Sequence, residues 1–216
     1  MRAVGLGSAM TRRFAGVALV LCLLADAPAL AHAQTPRMRV DSVLLARDLD
    51  GDGKLDYVVR ESADTAANAP RPARLAIYVG VKPQTQPPGW ASPWVPSYQG
   101  DAALARSIRV DSNAALLEVD EPADDVLGIH VLLLDRGAIR EILSHAVGMD
   151  FDSFRLRETQ GVITVDATPR NLVIDGKEVG SSRECRKGQH VEVRLRFDRT
   201  TRSFVRVTSR CVRSTS

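Results

Sequence analysis

His190-Val191-Glu192-Val193-Arg194-Leu195-Arg196-Phe197 alternates apolar and polar residues without a break. Successive side chains of a strand point to opposite faces, so a period of two reads as a half-buried β-strand. Val191, Val193, Leu195 and Phe197 form the inner face; His190, Glu192, Arg194 and Arg196 form the outer one. The chain turns at Asp198–Thr201 and returns through Val205 and Val207 to Cys211. This predicts a hairpin with Cys211 on the face of Val205 and Val207, toward the core.

The same grammar extends upstream. Leu172-Val173-Ile174 and Lys177-Glu178-Val179 flank Asp175-Gly176, a strong two-residue hairpin signal. Residues 151–158 and 161–167 form another hairpin, turning at Gln160-Gly161. Gly128 to Asp135 is apolar on both faces, as expected of a central strand. It turns at Arg136-Gly137 into residues 138–145, where periodicity leaves strand and helix open. Leu116-Leu117-Glu118-Val119 is a short strand, as is Arg74 to Val79. Residues 39–46 and 55–60 are strands on either side of an acidic loop. Residues 62–72 read as a loop, and residues 82–100, with five prolines, as a long irregular one. Successive hairpins predict a mainly β fold with few or no long helices. The antiparallel hairpins would form a meander, a barrel or a partial propeller-like sheet.

Residues 1–33 read as a signal peptide. Arg12-Arg13 gives the positive start, Ala15 to Ala25 a short apolar run, and Ala31-His32-Ala33 a small-x-small cleavage site. Residues 34–216 then form a single β-rich domain, secreted or periplasmic. No second apolar run approaches a membrane span. Without residues 1–33, which hold three basic and one acidic residue, the balance falls from 29 and 26 to 26 and 25. A formal +1 gives no global argument for nucleic acid. Cys185 and Cys211 remain, an even pair in an exported chain, and predict a disulfide closing a loop of 27 residues.

The acidic loop is Asp48-Leu49-Asp50-Gly51-Asp52-Gly53-Lys54-Leu55-Asp56. Calcium takes oxygens at roughly 2.3–2.6 Å, and short loops supply them from alternate positions with a glycine at the sharp turn. Asp48, Asp50, Asp52, the Lys54 carbonyl and Asp56 fit that plan, with Gly53 at the turn. Magnesium prefers fewer carboxylates and more water, so calcium is the expected ion. Val59 stands where an EF-hand carries its bidentate Glu, so Glu61, Asp41 or water would complete the shell.

The stretch from Asp48 to Val59 resembles the calcium loop of FG-GAP and VCBS-type repeats, the strand–loop–strand sites of integrin alpha-chain propellers and many bacterial secreted proteins. The resemblance covers roughly 25 residues and implies calcium binding without implying an activity; propeller families repeat the loop, whereas it occurs once here. A single such loop on a small β domain also resembles secreted bacterial inhibitors of peptidoglycan-cleaving enzymes in layout.

Other candidates carry less chemistry. Trp90, Trp94 and Tyr98 recur every four residues among prolines, as a sugar- or protein-binding platform or as plugs of the core. Asp150 and Asp152 share a strand face, as an acid pair or a solvated strand start. His130 reads as a core histidine, and His145 and His190 lack metal-ligand spacing. Arg194, Arg196, Arg202, Arg206 and Arg210 form a basic face that would grip an anionic polymer or simply be solvated. The expectation is a non-catalytic, calcium-binding module for a protein or glycan of the cell envelope. The alternatives are a structural envelope protein, a peptidoglycan-enzyme inhibitor and an unrecognised hydrolase.

Overall fold

Period-two alternation builds strands, and strands with two apolar faces must be covered twice. The computed structural model describes residues 38–63, 71–97, 103–123, 126–148, 152–180 and 183–213. The signal segment, Tyr98 and Asp150 lie outside them. Among the described residues there are fifteen strands and no helix.

The first sheet contains β1 (Met38–Arg47), β2 (Asp56–Ala63), β3 (Arg71–Tyr78) and β4 (Trp90–Ala91) in chain order, with β5 (Val95–Ser97) also on β3. The second contains β6 (Leu104–Asp111), β7 (Ala114–Ala123), β8 (Val126–Asp135), β9 (Ala138–Gly148), β12 (Leu172–Ile174) and β13 (Lys177–Glu178). The third orders β10 (Phe154–Thr159), β11 (Val162–Ala167), β14 (Gln189–Asp198) and β15 (Ser203–Arg213). Every pairing is antiparallel, and the sheets do not close into a barrel. The open hairpin meander is therefore the architecture found.

The second sheet is the middle layer. On one face Leu116, Val131, Leu133 and Ile142 pack with Leu156, Ile163, Val165, Val193, Leu195, Phe197 and Phe204 of the third sheet. On the other, Leu117, Val119, Leu132 and Leu134 pack with Leu49, Val58, Leu75 and Ile77 of the first. This explains why 129–134 is apolar at both parities except at His130. Truncating Leu132, which is fully buried, to Ala would cost about 2–5 kcal/mol.

Three local expectations change. Residues 138–145 extend a strand, because β8 pairs with β9 along its whole length. The segment 82–100 is not wholly irregular, since β4 and β5 both bond to β3. Strand β6 was not expected; only the alternation of Ile108 and Val110, both packed on the core, hinted at it.

The final hairpin needs a correction. Val205 and Val207 are exposed, whereas Phe204 is buried against Phe197. Arg194 pairs with Thr208 and Leu195 with Arg206, leaving Val207 as an extra residue. One inserted residue inverts the parity of a strand. Cys211 consequently pairs with Val191, on the face of buried Val193. The Cys185–Cys211 disulfide is present, with Cα atoms 5.7 Å apart.

Candidate functional site

The acidic loop connects β1 to β2, as the flanking alternation predicts. Asp56 is fully buried at the start of β2, where one carboxylate oxygen accepts the Leu49 N–H and the other the Gly80 N–H, each at 2.8 Å. Asp48 accepts the N–H groups of Gly51 (2.6 Å) and Gly53 (3.0 Å), and Asp50, also buried, accepts that of Asp52 at 3.2 Å. These bonds fold the loop back on itself. Arg109 of β6 ties it to the middle sheet by donating to the Leu49 carbonyl (2.6 Å) and the Asp48 carbonyl (3.2 Å). Gly51 sits against the Ser112 carbonyl in the β6–β7 turn.

Asp48, Asp50 and Asp56 each offer one oxygen, and these oxygens lie within 4.8 Å of one another. This acidic triad could hold a metal ion. The residues fit a hard cation on their own terms: three carboxylates, two of them buried, and none in an ion pair among the described residues. Arg109 spends its guanidinium on carbonyls instead. Two unit charges at about 4 Å oppose each other by about 4 kcal/mol at an effective dielectric of 20. Burial, above all, pushes the Asp56 carboxyl up; Asp50 and Asp52 add to this, against the two backbone N–H bonds.

One expected ligand, Asp52, is not part of the triad. Asp52 accepts the Lys54 N–H at 2.8 Å and pairs with the Lys54 ammonium at 3.5 Å. Glu61 and Asp41 do not complete the shell either. Asp41 pairs with Arg39 and accepts from Ser62 at 3.0 Å. Glu61, fully buried, accepts from Arg74 Nε at 3.0 Å and from the Tyr78 hydroxyl. Burial, and then the Glu61 carboxylate, push the Tyr78 phenol up to about 12.

The aromatic candidates separate. Trp90 packs into the core between first and middle sheets, tilted against His130 at 5.3 Å. Trp94 is 40 % exposed, with the Arg74 guanidinium 4.5 Å over its ring. A spacing of four places side chains together on a helix, not on short strands and loops, so Trp90 and Trp94 do not share a face.

The histidines and acids are tied internally. His130 lies 3.2 Å from Glu141, which that contact holds below the usual carboxylate range. Glu121, buried, accepts the Ser92 hydroxyl at 2.8 Å, and burial pushes it up. His145 Nε2 lies 3.2 Å from the Thr168 hydroxyl, which donates to Asp152 at 3.2 Å. Burial pushes the imidazole of His145 down. Thr168 thus bridges buried His145 to half-buried Asp152.

The basic face is largely matched by acids. Asp166, buried on the third sheet, accepts from Arg194 at 2.7 Å and Arg157 at 2.7 Å, with Arg210 at 3.8 Å. Burial alone would raise Asp166, but Arg194, Arg210 and Arg157 together hold it below the ordinary range. Arg210 also pairs with Glu192, and Arg202 with Asp111 and Asp135. Arg206 donates to the Gly180 carbonyl.

Sequence reasoning missed the Glu61–Tyr78–Arg74 cluster. Its signal was Glu61 itself, a carboxylate at the parity of Tyr57 and Val59 on a strand buried on both faces. Comparisons with family models, curated proteins and solved structures return no match to this chain.

Proposed function

We propose that this is an exported, calcium-stabilised β domain that acts as a non-catalytic binding module in the cell envelope. One observation carries the reading: three convergent carboxylates with no cationic partner among the described residues, at a junction that ties the first sheet to the middle one. Asp48, Asp50 and Asp56 hold the ion, with water or loop carbonyls completing its shell. The alternate spacing of the acids and their number favour calcium over magnesium. The disulfide suits an oxidising compartment.

Calcium neutralises the triad and so stabilises the β1–β2 connection, which the partner-binding layer needs in order to keep its shape. The test is a melting curve in calcium, magnesium and chelator, on wild type and Asp50→Ala. At 100 times its dissociation constant an ion that binds only the folded state adds about 2.7 kcal/mol. For a domain of this size that is about 5–10 °C. The rise appears in wild type with calcium and not in Asp50→Ala. A wild-type midpoint indifferent to calcium refutes the reading.

A further inference from the structure

We propose that the cleft on the outer face of the first sheet binds a neutral glycan chain. The proposal rests on the reading of the domain as a binding module and names the class of partner. On β3, Leu75 and Ile77 point into the core, while Arg74, Ala76 and Tyr78 point the other way. Residues 79–89 fold over part of this outer face, and Gln84 pins them by donating to the Met38 carbonyl at 3.0 Å. Between them lies a cleft of about 530 Å³ whose lining includes Met38, Arg74, Tyr78, Gln84, Gln86 and Pro87. That is within the range of small-ligand sites, which combine apolar walls with a few fixed polar groups.

Glu61 supplies the fixed group. It is buried, and it holds Arg74 through Nε and Nη2 (both 3.0 Å) and receives the Tyr78 hydroxyl. The Arg74 plane is further set by the Trp94 ring. Arg74 also lines the cleft, so a guanidinium held in place by Glu61 is presented there. A buried ion pair is weak evidence for stability, and a pre-set donor fork is what it provides here.

The ligand class follows from charge and pairing. Glu61 already balances Arg74, so the cleft has no surplus charge to select a polyanion. An extended peptide would seek a free strand edge; β3 is bonded on both sides, to β2 and to β4 and β5, and the Met38 carbonyl of the edge strand β1 is already taken by Gln84. What remains is an apolar wall at Pro87 and Pro88, an amide at Gln86 and the Arg74 guanidinium, which is backed by the exposed Trp94 ring. Vicinal hydroxyls on a ring with an apolar face match all three.

The experiment titrates the calcium-loaded, disulfide-intact protein with a β-1,4-linked N-acetylglucosamine tetramer, cellotetraose and maltotetraose, following Trp fluorescence and binding heat. Heparin and a proline decapeptide are run alongside. At least one neutral tetramer binds with a Kd of about 1 mM or tighter. Trp94→Ala and Arg74→Lys each weaken it at least about tenfold. Trp94→Ala keeps the wild-type melting response to calcium, because Trp94 is exposed and is no member of the acidic triad. Failure of every neutral tetramer, unchanged affinity in Trp94→Ala, or binding of heparin or the proline peptide alone overturns the proposal. A calcium shift with no sugar binding sinks only the glycan; sugar binding with no calcium shift sinks only the metal.

Discussion

Gly51 and Gly53 share one backbone conformation in two different surroundings, and replacing each by alanine separates the two effects. Their φ angles are +80° and +84°. A Cβ at Gly53 meets nothing within 4 Å, whereas at Gly51 it would stand 2.2 Å from the Ser112 carbonyl oxygen. Gly53→Ala therefore carries the left-handed penalty alone, about 1–2 kcal/mol. Gly51→Ala carries that penalty plus the displacement of a backbone that cannot swing aside, about 1–3 kcal/mol more. Urea unfolding followed by Trp fluorescence reads the gap. With a slope of about 1–3 kcal/mol per molar urea, the two midpoints differ by about 1 M. The gap persists in chelator, because it arises from contact with the β6–β7 turn and not from the ion. Equal midpoints for the two variants would show that the loop does not dock where the Ser112 contact places it.

Asp166→Asn leaves Arg157, Arg194 and Arg210 without their shared carboxylate. The arginines remain half-exposed, so the loss is about 1–3 kcal/mol in a thermal or urea melt. Because its folded pKa lies below 3.8, wild-type stability from Asp166 is present above pH 3.8 and is lost as pH falls through the folded value. His145 acts in a different window: its folded pKa is depressed from 6.5, so the unfolded chain binds the extra proton. Stability is full above pH 6.5 and declines below it, and His145→Gln flattens that limb of the melting profile. Replacing Cys185 and Cys211 together by serine releases the 27-residue loop and costs about 3–4 kcal/mol in non-reducing buffer. Adding reductant to that variant changes nothing further.

The fold was legible where burial has a simple period. Residues 190–197 and 128–135 announced a half-buried and a doubly buried strand, and the two hairpins at 160–161 and 175–176 follow their turn residues. Parity failed in β15 because Val205 lies opposite outward-facing Arg196, and one extra residue at Val207 then inverts every later side chain; neither leaves a mark in composition. The metal loop was legible as a loop but not as a ligand set. Which carboxylates converge depends on backbone N–H bonds: they turn Asp48 and Asp56 inward and commit Asp52 to Lys54. The candidate glycan cleft was hidden for another reason. Its parts come from β2, β3 and residues 84–94, and only strand pairing brings Glu61 beside Arg74.

The middle layer has no face of its own to offer to solvent over its central strands. Each of its side chains answers to one neighbour or the other, so variation there is penalised at nearly every position. The outer sheets are free in a way it is not. Each can remodel its solvent side, one around the Arg74 cleft and the other around the Asp166 arginines, without disturbing the opposite one. The chain thus presents two independently adaptable surfaces on a common inner wall, and a second recognition surface could arise on the third sheet without loss of the first.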